Sequence, residues 1–234
     1  MKKLLITALC TTALFGCNSE EVVVVEEPST KLAENGILIS ENNAKELILL
    51  IDGIDVYTEL PATLAYNETS RSASNTTSAC FVSGNIIIDS QSDSNSSIST
   101  YSYDNCSYIA GHSRNGSYTT SSDFEEDLST IAIKTQGKLE ERINDFATMM
   151  QMDVDIYGSN NLYQVDYRFD FISSNNPIAG EFIAYTNPTL IWDENNDTLI
   201  GSIIIEGRDN NTLEFLYNTN GVTYYLNGEL YTPQ

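Results

Sequence analysis

Histidine and basic side chains are scarce in this 234-residue chain: one His and 11 Lys plus Arg stand against 33 Asp plus Glu, a formal charge of −22. Such a surface repels nucleic acid and anionic lipid headgroups, which excludes a phosphate-reading role. Metal ligands of the soft kind are equally short. There are four cysteines and only His112, and no cofactor or metal is expected from that set. Familiar catalytic signatures are missing too. "GHSRNG" holds His112 and Ser113, yet Asn115 stands where G-x-S-x-G needs its final glycine, and no strand-then-helix context surrounds it. In "DENNDTLIG" the residues Asp193, Asn195 and Asp197 alternate like the start of a calcium loop. Thr198 replaces the required glycine and Ile204 the bidentate Glu, so the stretch reads as a turn. No catalytic residue is assigned.

What is present begins at the N-terminus. "MKKLLITALCTTALFGC" opens on two lysines and continues as an apolar run from Leu4 to Phe15, interrupted only by threonines, before Gly16 and Cys17. That order is a secretory signal, and the run is shorter than the roughly 20 apolar residues that span a bilayer. "LFGC" resembles the lipobox of bacterial lipoproteins, with Leu14 three positions before the cut, small Gly16 just before it and Cys17 after it. The resemblance implies cleavage before Cys17 and acylation of its sulfur and new amino group, and two or three acyl chains hold a protein on a membrane nearly permanently. Asn18 rather than Asp after the cysteine implies the outer membrane of a Gram-negative cell, with the domain facing the periplasm.

Removing residues 1–16 deletes Lys2 and Lys3 and leaves 9 basic against 33 acidic side chains, a formal charge of −24. The remaining 218 residues suit one domain with a tail. After Cys10 leaves and Cys17 takes lipid, Cys80 and Cys106 form an even pair in an exported protein, which predicts a disulfide. Closing that loop contributes about 3 to 4 kcal/mol in the chain-entropy account.

Along the chain, residues 17–39 read as the lipidated cysteine and an acidic tether, and 40–234 as one domain. Ser40 opens a helix over about 40–60, where Ala44, Leu47, Ile48, Ile51 and Ile54 recur at helical spacing and Pro61 marks the end. A polar linker follows at 67–79. From Cys80 the period becomes two. "CFVSGNIIID" and "ISTYSYDNC" can pair with Ile88 opposite Ile98 and Cys80 opposite Cys106, across a long loop, "DSQSDSNSS". "MQMDVDIYGSNNLYQVDYRFDF" pairs Met150 with Phe169, Met152 with Tyr167, Val154 with Val165 and Ile156 with Tyr163, leaving the acids on the other face. Asn220-Gly221 predicts a tight turn with Tyr217 facing Tyr224 and Phe215 facing Leu226. Ile203 and Ile205 then meet Phe215 and Leu213. Residues 122–149 stay open between helix and strand, except that "TIAIKT" reads as strand. The expected fold is mainly β: an antiparallel meander over 80–234 forming a twisted sheet, sandwich or open barrel, with one N-terminal helix packed on it.

The whole chain also resembles exported Gram-negative lipoproteins without assigned activity, through "ENNA", "SGN" after Cys80, "YDNC", "NGSY", "GSIIIEG" and "YYLNG". That resemblance implies a periplasm-facing β-domain and carries no activity.

Two groups of residues are candidate sites. The register assumed for the second hairpin sets Asp153 opposite Asp166, a like-charge pair that needs Arg168 or a cation beside it. Tyr101, Tyr103 and Tyr108 cluster near the disulfide and would make an aromatic binding surface if exposed. In that register Tyr101 and Tyr103 share a face with Phe81 and Ile87, which points to the core. The function expected is a non-enzymatic binding or structural module of the envelope, its partners the membrane through Cys17 and an envelope protein or glycan. The competing expectation is a hydrolase of an envelope or extracellular polymer acting through paired carboxylates.

Overall fold

The computed structural model describes residues 32, 35–52, 72–124, 130–144 and 146–233. The signal segment, Cys17, residues 53–71 with Ile54 and Pro61, and 125–129 lie outside the described residues.

The fold is mainly β, one antiparallel sheet of 13 strands, and it has one described α-helix, α1 (Glu41–Asp52). The helix lies inside the chain rather than at its N-terminus. Ser40 sits at its cap: its carbonyl accepts the Ala44 N–H at 3.0 Å, while its own N–H donates to Asn43 Oδ1 at 2.9 Å. The side chain that closes this cap is therefore Asn43, which also donates to the Leu38 carbonyl at 3.0 Å. Ala44, Leu47, Ile48 and Ile51 form the buried face, as their spacing requires.

The strands are β1 (Ser72–Ala79), β2 (Ser83–Ser92), β3 (Ser96–Ser107), β4 (His112–Phe124), β5 (Thr130–Ile143), β6 (Phe146–Ser159) and β7 (Leu162–Ser173), followed by β8 (Gly180–Thr186), β9 (Leu190–Asp193), β10 (Thr198–Glu206), β11 (Thr212–Asn218), β12 (Gly221–Leu226) and β13 (Glu229–Tyr231). They pair in chain order from β1 to β8, then β10 to β13, while short β9 bridges β7 and β10. Residues 72–79 of the expected polar linker are thus edge strand β1. From Ala73 to Ala79 its side chains are exposed, so no apolar face marks it in the sequence.

One face of the sheet is apolar. Tyr118 on β4, Leu139 on β5, Met150 and Met152 on β6, Phe169 and Phe171 on β7, Phe182 on β8, Ile203 and Ile205 on β10, and Leu213 and Phe215 on β11 join the helix face in a single cluster of buried residues. Four phenylalanines (169, 171, 182 and 215) are fully buried, each stabilising by about 1.5 to 3 kcal/mol. Phe171 stacks on Phe182 at 4.8 Å. Before α1 the chain is tied to the sheet by hydrogen bonds from Ile37 N–H to the Glu181 carbonyl (2.9 Å) and from Arg208 N–H to the Ile37 carbonyl (2.7 Å).

The open segment 130–143 is one 14-residue strand. Ile131, Ile133, Thr135, Gly137 and Leu139 face inward, and Lys134, Gln136, Lys138, Glu140 and Arg142 outward. The period is two throughout, which the mixed charges obscured.

Three hairpin registers differ from expectation. In β6–β7 the turn is Asn160-Asn161, with φ 52° and 65°, a conformation asparagine tolerates. The pairs become Met150 with Phe171, Met152 with Phe169, Val154 with Tyr167 and Ile156 with Val165. In β11–β12 the Asn218 side chain accepts the Asn220 N–H at 2.8 Å, drawing the turn back to Thr219-Asn220. Phe215 therefore faces Tyr224, and Leu213 faces Leu226. Both shifts are of two residues, so the buried faces survive. The β2–β3 shift is odd: Ile88 faces Tyr101, not Ile98. The long loop is in fact a short turn, in which Asp93 Oδ1 accepts the N–H groups of Asn95 and Ser96, each at 2.9 Å. The β10–β11 pairs, Ile203 with Phe215 and Ile205 with Leu213, are those expected.

Cys80 and Cys106 lie at disulfide distance, Cα–Cα 5.4 Å. Cys80 precedes β2 rather than facing Cys106 within the ladder, and irregularities at Ser83/Asn85 and Tyr103/Cys106 accommodate the bridge.

Candidate functional site

The outward face of β4–β7 carries a shallow groove of about 210 Å³, lined by Ser121, Asp123, Lys134, Asp155, Tyr157, Gln164 and Asp166. Alternation puts these side chains here, because each occupies the strand position opposite in parity to the core residues. Two of the predicted site residues are separated by the corrected register. Asp153 faces Arg168, and the like-charge pair is Asp155 with Asp166.

That pair needs no cation. Lys134 Nζ lies 3.4 Å from Asp155 Oδ1 and 3.8 Å from Asp153 Oδ1, and Gln136 Nε2 donates to Asp153 Oδ1 at 3.0 Å. Thr186 Oγ1 donates to Asp166 Oδ1 at 3.2 Å. Arg168 pairs with Asp170 at 2.9 Å. Lys134, Asp153 and Asp155 are about half exposed, so each link contributes no more than roughly 1 kcal/mol. Among the described residues no group of three or more His, Cys, Asp or Glu is arranged to hold a metal ion.

The tyrosines divide. Tyr101 and Tyr103 share the inner face with Ile88 and Ile86, correcting the assignment to Phe81 and Ile87, and both are half-buried against the core. Tyr118 stacks on Tyr101 at 4.9 Å and on Tyr103 at 6.3 Å, and the Arg114 guanidinium lies 5.2 Å from the Tyr103 ring. Burial first, then Tyr103 and Tyr101 beside it, push the Tyr118 phenol far above its ordinary value. Gly137 lies opposite Tyr118, and a Cβ there would overlap the Tyr118 Cα and Cβ and the Ser117 carbonyl. Tyr108 alone of the three stands in solvent, at 51% exposure. The predicted aromatic surface is therefore not one surface.

Other candidates resolve into turns. "DENNDTLIG" joins β9 to β10: Asp193 Oδ1 accepts the N–H groups of Asn195 (3.0 Å) and Asn196 (3.3 Å), and the Asn196 amide donates to Oδ2 at 2.6 Å. These bonds hold the exposed Asp193 carboxyl below the usual range. His112 and Ser113 open β4, facing Ile143 and Arg142. At the opposite end of the strands, beside the β9–β10 turn, Tyr163 stacks on Trp192 at 5.1 Å and donates to Glu194 Oε2 at 3.3 Å. Burial, then Glu194, raises its phenol pKa.

Sequence reasoning missed Lys134, Asp155 and Tyr157. The alternation of Lys134, Gln136, Lys138, Glu140 and Arg142 was the signal that could have placed Lys134 on the face of the acids.

The described residues thus define a class by architecture: one long antiparallel sheet, filled on its inner face and bearing shallow open grooves on its outer one. Set against known proteins, the chain matches no family model, no curated protein and no solved structure. No described helix is long and apolar enough to cross a membrane.

Proposed function

We propose that this chain is a lipid-anchored envelope protein of a Gram-negative cell, held in the outer membrane through Cys17 with its sheet facing the periplasm. There it acts as a non-enzymatic binding or structural module for an envelope protein or glycan. The observation that carries the binding reading is the groove around Lys134, Asp155 and Tyr157. It is open, its carboxylates are exposed and internally paired, and Tyr157 stands 57% exposed beside Gln164. A polar ligand such as a glycan suits an amphipathic ring flanked by hydrogen-bonding side chains. The anchor rests on the order of charges, apolar run, Gly16 and Cys17. We further infer that the sheet curls round α1 as an open barrel, a reading supported by the cluster that joins inner-face residues from β4 to β11 with the helix.

The hydrolase reading has one observation in its favour, Asp155 directly across from Asp166 in the groove. Catalytic acids of that kind need a protonated partner kept from water, and both side chains here are exposed. A palmitate analogue fed to cells making wild type and Cys17→Ser tests the anchor: label in wild type alone is expected, and equal label removes it. Incubation with cell-wall glycan tests the activity. Retention without new reducing ends is expected, weakened in Tyr157→Ala; reducing ends that vanish in Asp155→Asn would replace binding with hydrolysis.

A further inference from the structure

The two ends of the strands differ in chemistry. At one end lie the turns that hold Asp93, and Asp193, Glu194 and Asp197. At the other lie Phe81 and Val82 before β2, Tyr108 and Ile109 between β3 and β4, and Ile143 and Phe146 flanking the β5–β6 turn. All six are exposed, Phe81 at 88% and Ile109 at 69%. A large apolar side chain left in water costs roughly 1.5 to 3 kcal/mol of burial forgone, and six at one rim mark a contact surface. The rim is stiff and continuous. The Cys80–Cys106 bridge pins its first turn, Val82 N–H donates to the Ser107 carbonyl at 2.8 Å, Ser107 Oγ donates to the Ile109 carbonyl at 2.8 Å, and Asn144 N–H donates to the Gly111 carbonyl at 2.6 Å.

Charge selects the occupant. Residues 69–88 and 105–122, which supply the first two turns, contain no Asp or Glu in a chain with 33 of them. Beside them Arg114 pairs with Glu141 and Arg142 with Glu140, while the exposed Asp104 at the second turn and, by sequence, Asp145 between Ile143 and Phe146 add two carboxylates. This rim therefore carries less of the negative charge that repels an anionic surface than the rest of the chain does. Chain geometry agrees. The chain enters the sheet at the same strand end, since Gly36 bridges Glu181 at the start of β8 and Ile37 bonds Arg208 just after β10. Seventeen residues separate Cys17 from Asn35, a reach of up to about 60 Å when extended.

We propose that this rim dips into the interface of a phospholipid bilayer, so that the domain stands on the membrane by its Phe81–Phe146 end. The inference rests on the anchored reading for its geometry but is tested apart from it. Phe81→Trp in a Trp192→Phe background places the reporter on the rim, and wild-type Trp192, at the acidic end, is the control. The full chain is reconstituted into phosphatidylcholine vesicles containing brominated lipid, in acylated form and as Cys17→Ser. Quenching at least about twofold at position 81 with Trp192 unquenched is expected for the acylated chain. The Cys17→Ser form should partition weakly, and Ile109→Ser should lower that partition about tenfold. An acylated, vesicle-bound chain whose position 81 is unquenched overturns the rim and leaves the anchor standing. If no acylated chain forms, the Cys17→Ser arm decides, and absence of quenching there also overturns the rim. Concentration-dependent dimers abolished by Ile109→Ser, without lipid quenching, would assign the rim to a second copy instead.

Discussion

Leu47 and Leu49 lie on one helix, two residues apart and on opposite sides, which makes them a test of how α1 is held. Leu47 is fully buried in the cluster that spans the sheet; Leu49 is 62% exposed. Alanine is the better helix former, so neither Leu47→Ala nor Leu49→Ala weakens the helix itself. Whatever stability Leu47→Ala loses is packing lost between helix and sheet. Removing a fully buried leucine side chain costs about 2 to 5 kcal/mol, depending on how far the site collapses, whereas the exposed position should change by no more than about 0.5 kcal/mol. With a urea slope of about 1 to 3 kcal/mol per molar, Leu47→Ala moves the midpoint down by roughly 1 M or more. Equilibrium urea unfolding with the cysteines oxidised measures both variants, and equal slopes are needed for the comparison. Equal midpoints for Leu47→Ala and Leu49→Ala would refute the reasoning, because the sheet would then be stable without its cover.

Gly137→Ala places a methyl where Tyr118 lies and should destabilise by about 1 to 3 kcal/mol, read by the same unfolding curves; a neutral result would mean that the tyrosine stack is not held against β5. Tyr118 also predicts an alkaline response. Its folded pKa is raised by burial, so above pH 10 the unfolded chain releases that proton first and stability falls as pH climbs. Tyr118→Phe should flatten that fall between about pH 10 and 11, and an unchanged slope would remove the buried phenol from the account.

The parts of the fold that were legible are those where side-chain parity decides. In β6 and β7 the alternation of Met, Val, Ile and Phe with Asp, Gln and Arg fixed the buried face, since a register slip by two leaves every residue on its side of the sheet. What parity leaves open is the pairing itself, which turn chemistry sets: Asn160-Asn161 and the Asn218 side chain each moved a hairpin by two. That small shift decided the candidate site, because it exchanged an Asp153–Asp166 pair for Asp153 with Arg168 and Asp155 with Asp166. In β2 and β3, serines and isoleucines fall on both faces and parity is weak, so the odd shift that set Tyr101 and Tyr103 beside Ile88 and Ile86 rather than with Phe81 and Ile87 left no mark. Edge strand β1, solvated from Ala73 to Ala79, had nothing for a hydropathy pattern to detect.

Where such a protein can hold a function follows from the same division. The inner face is filled by phenylalanines and by α1, and the tyrosines at its margin are stacked on one another rather than offered to a ligand. Chemistry that needs water excluded from a carboxylate has no place on the outer face, where Lys134 and Thr186 already engage Asp155 and Asp166 in the open. Recognition tolerates such exposure, because cross-strand spacing of about 5 Å presents side chains in fixed rows without any pocket. A second result ties the outer face to the strand ends. Were the apolar rim set on a membrane, the β6–β7 turn at Asn160-Asn161 would point away from it. The groove, lined by Tyr157 and Gln164 near that turn, would be held out toward soluble or polymeric partners rather than pressed against lipid.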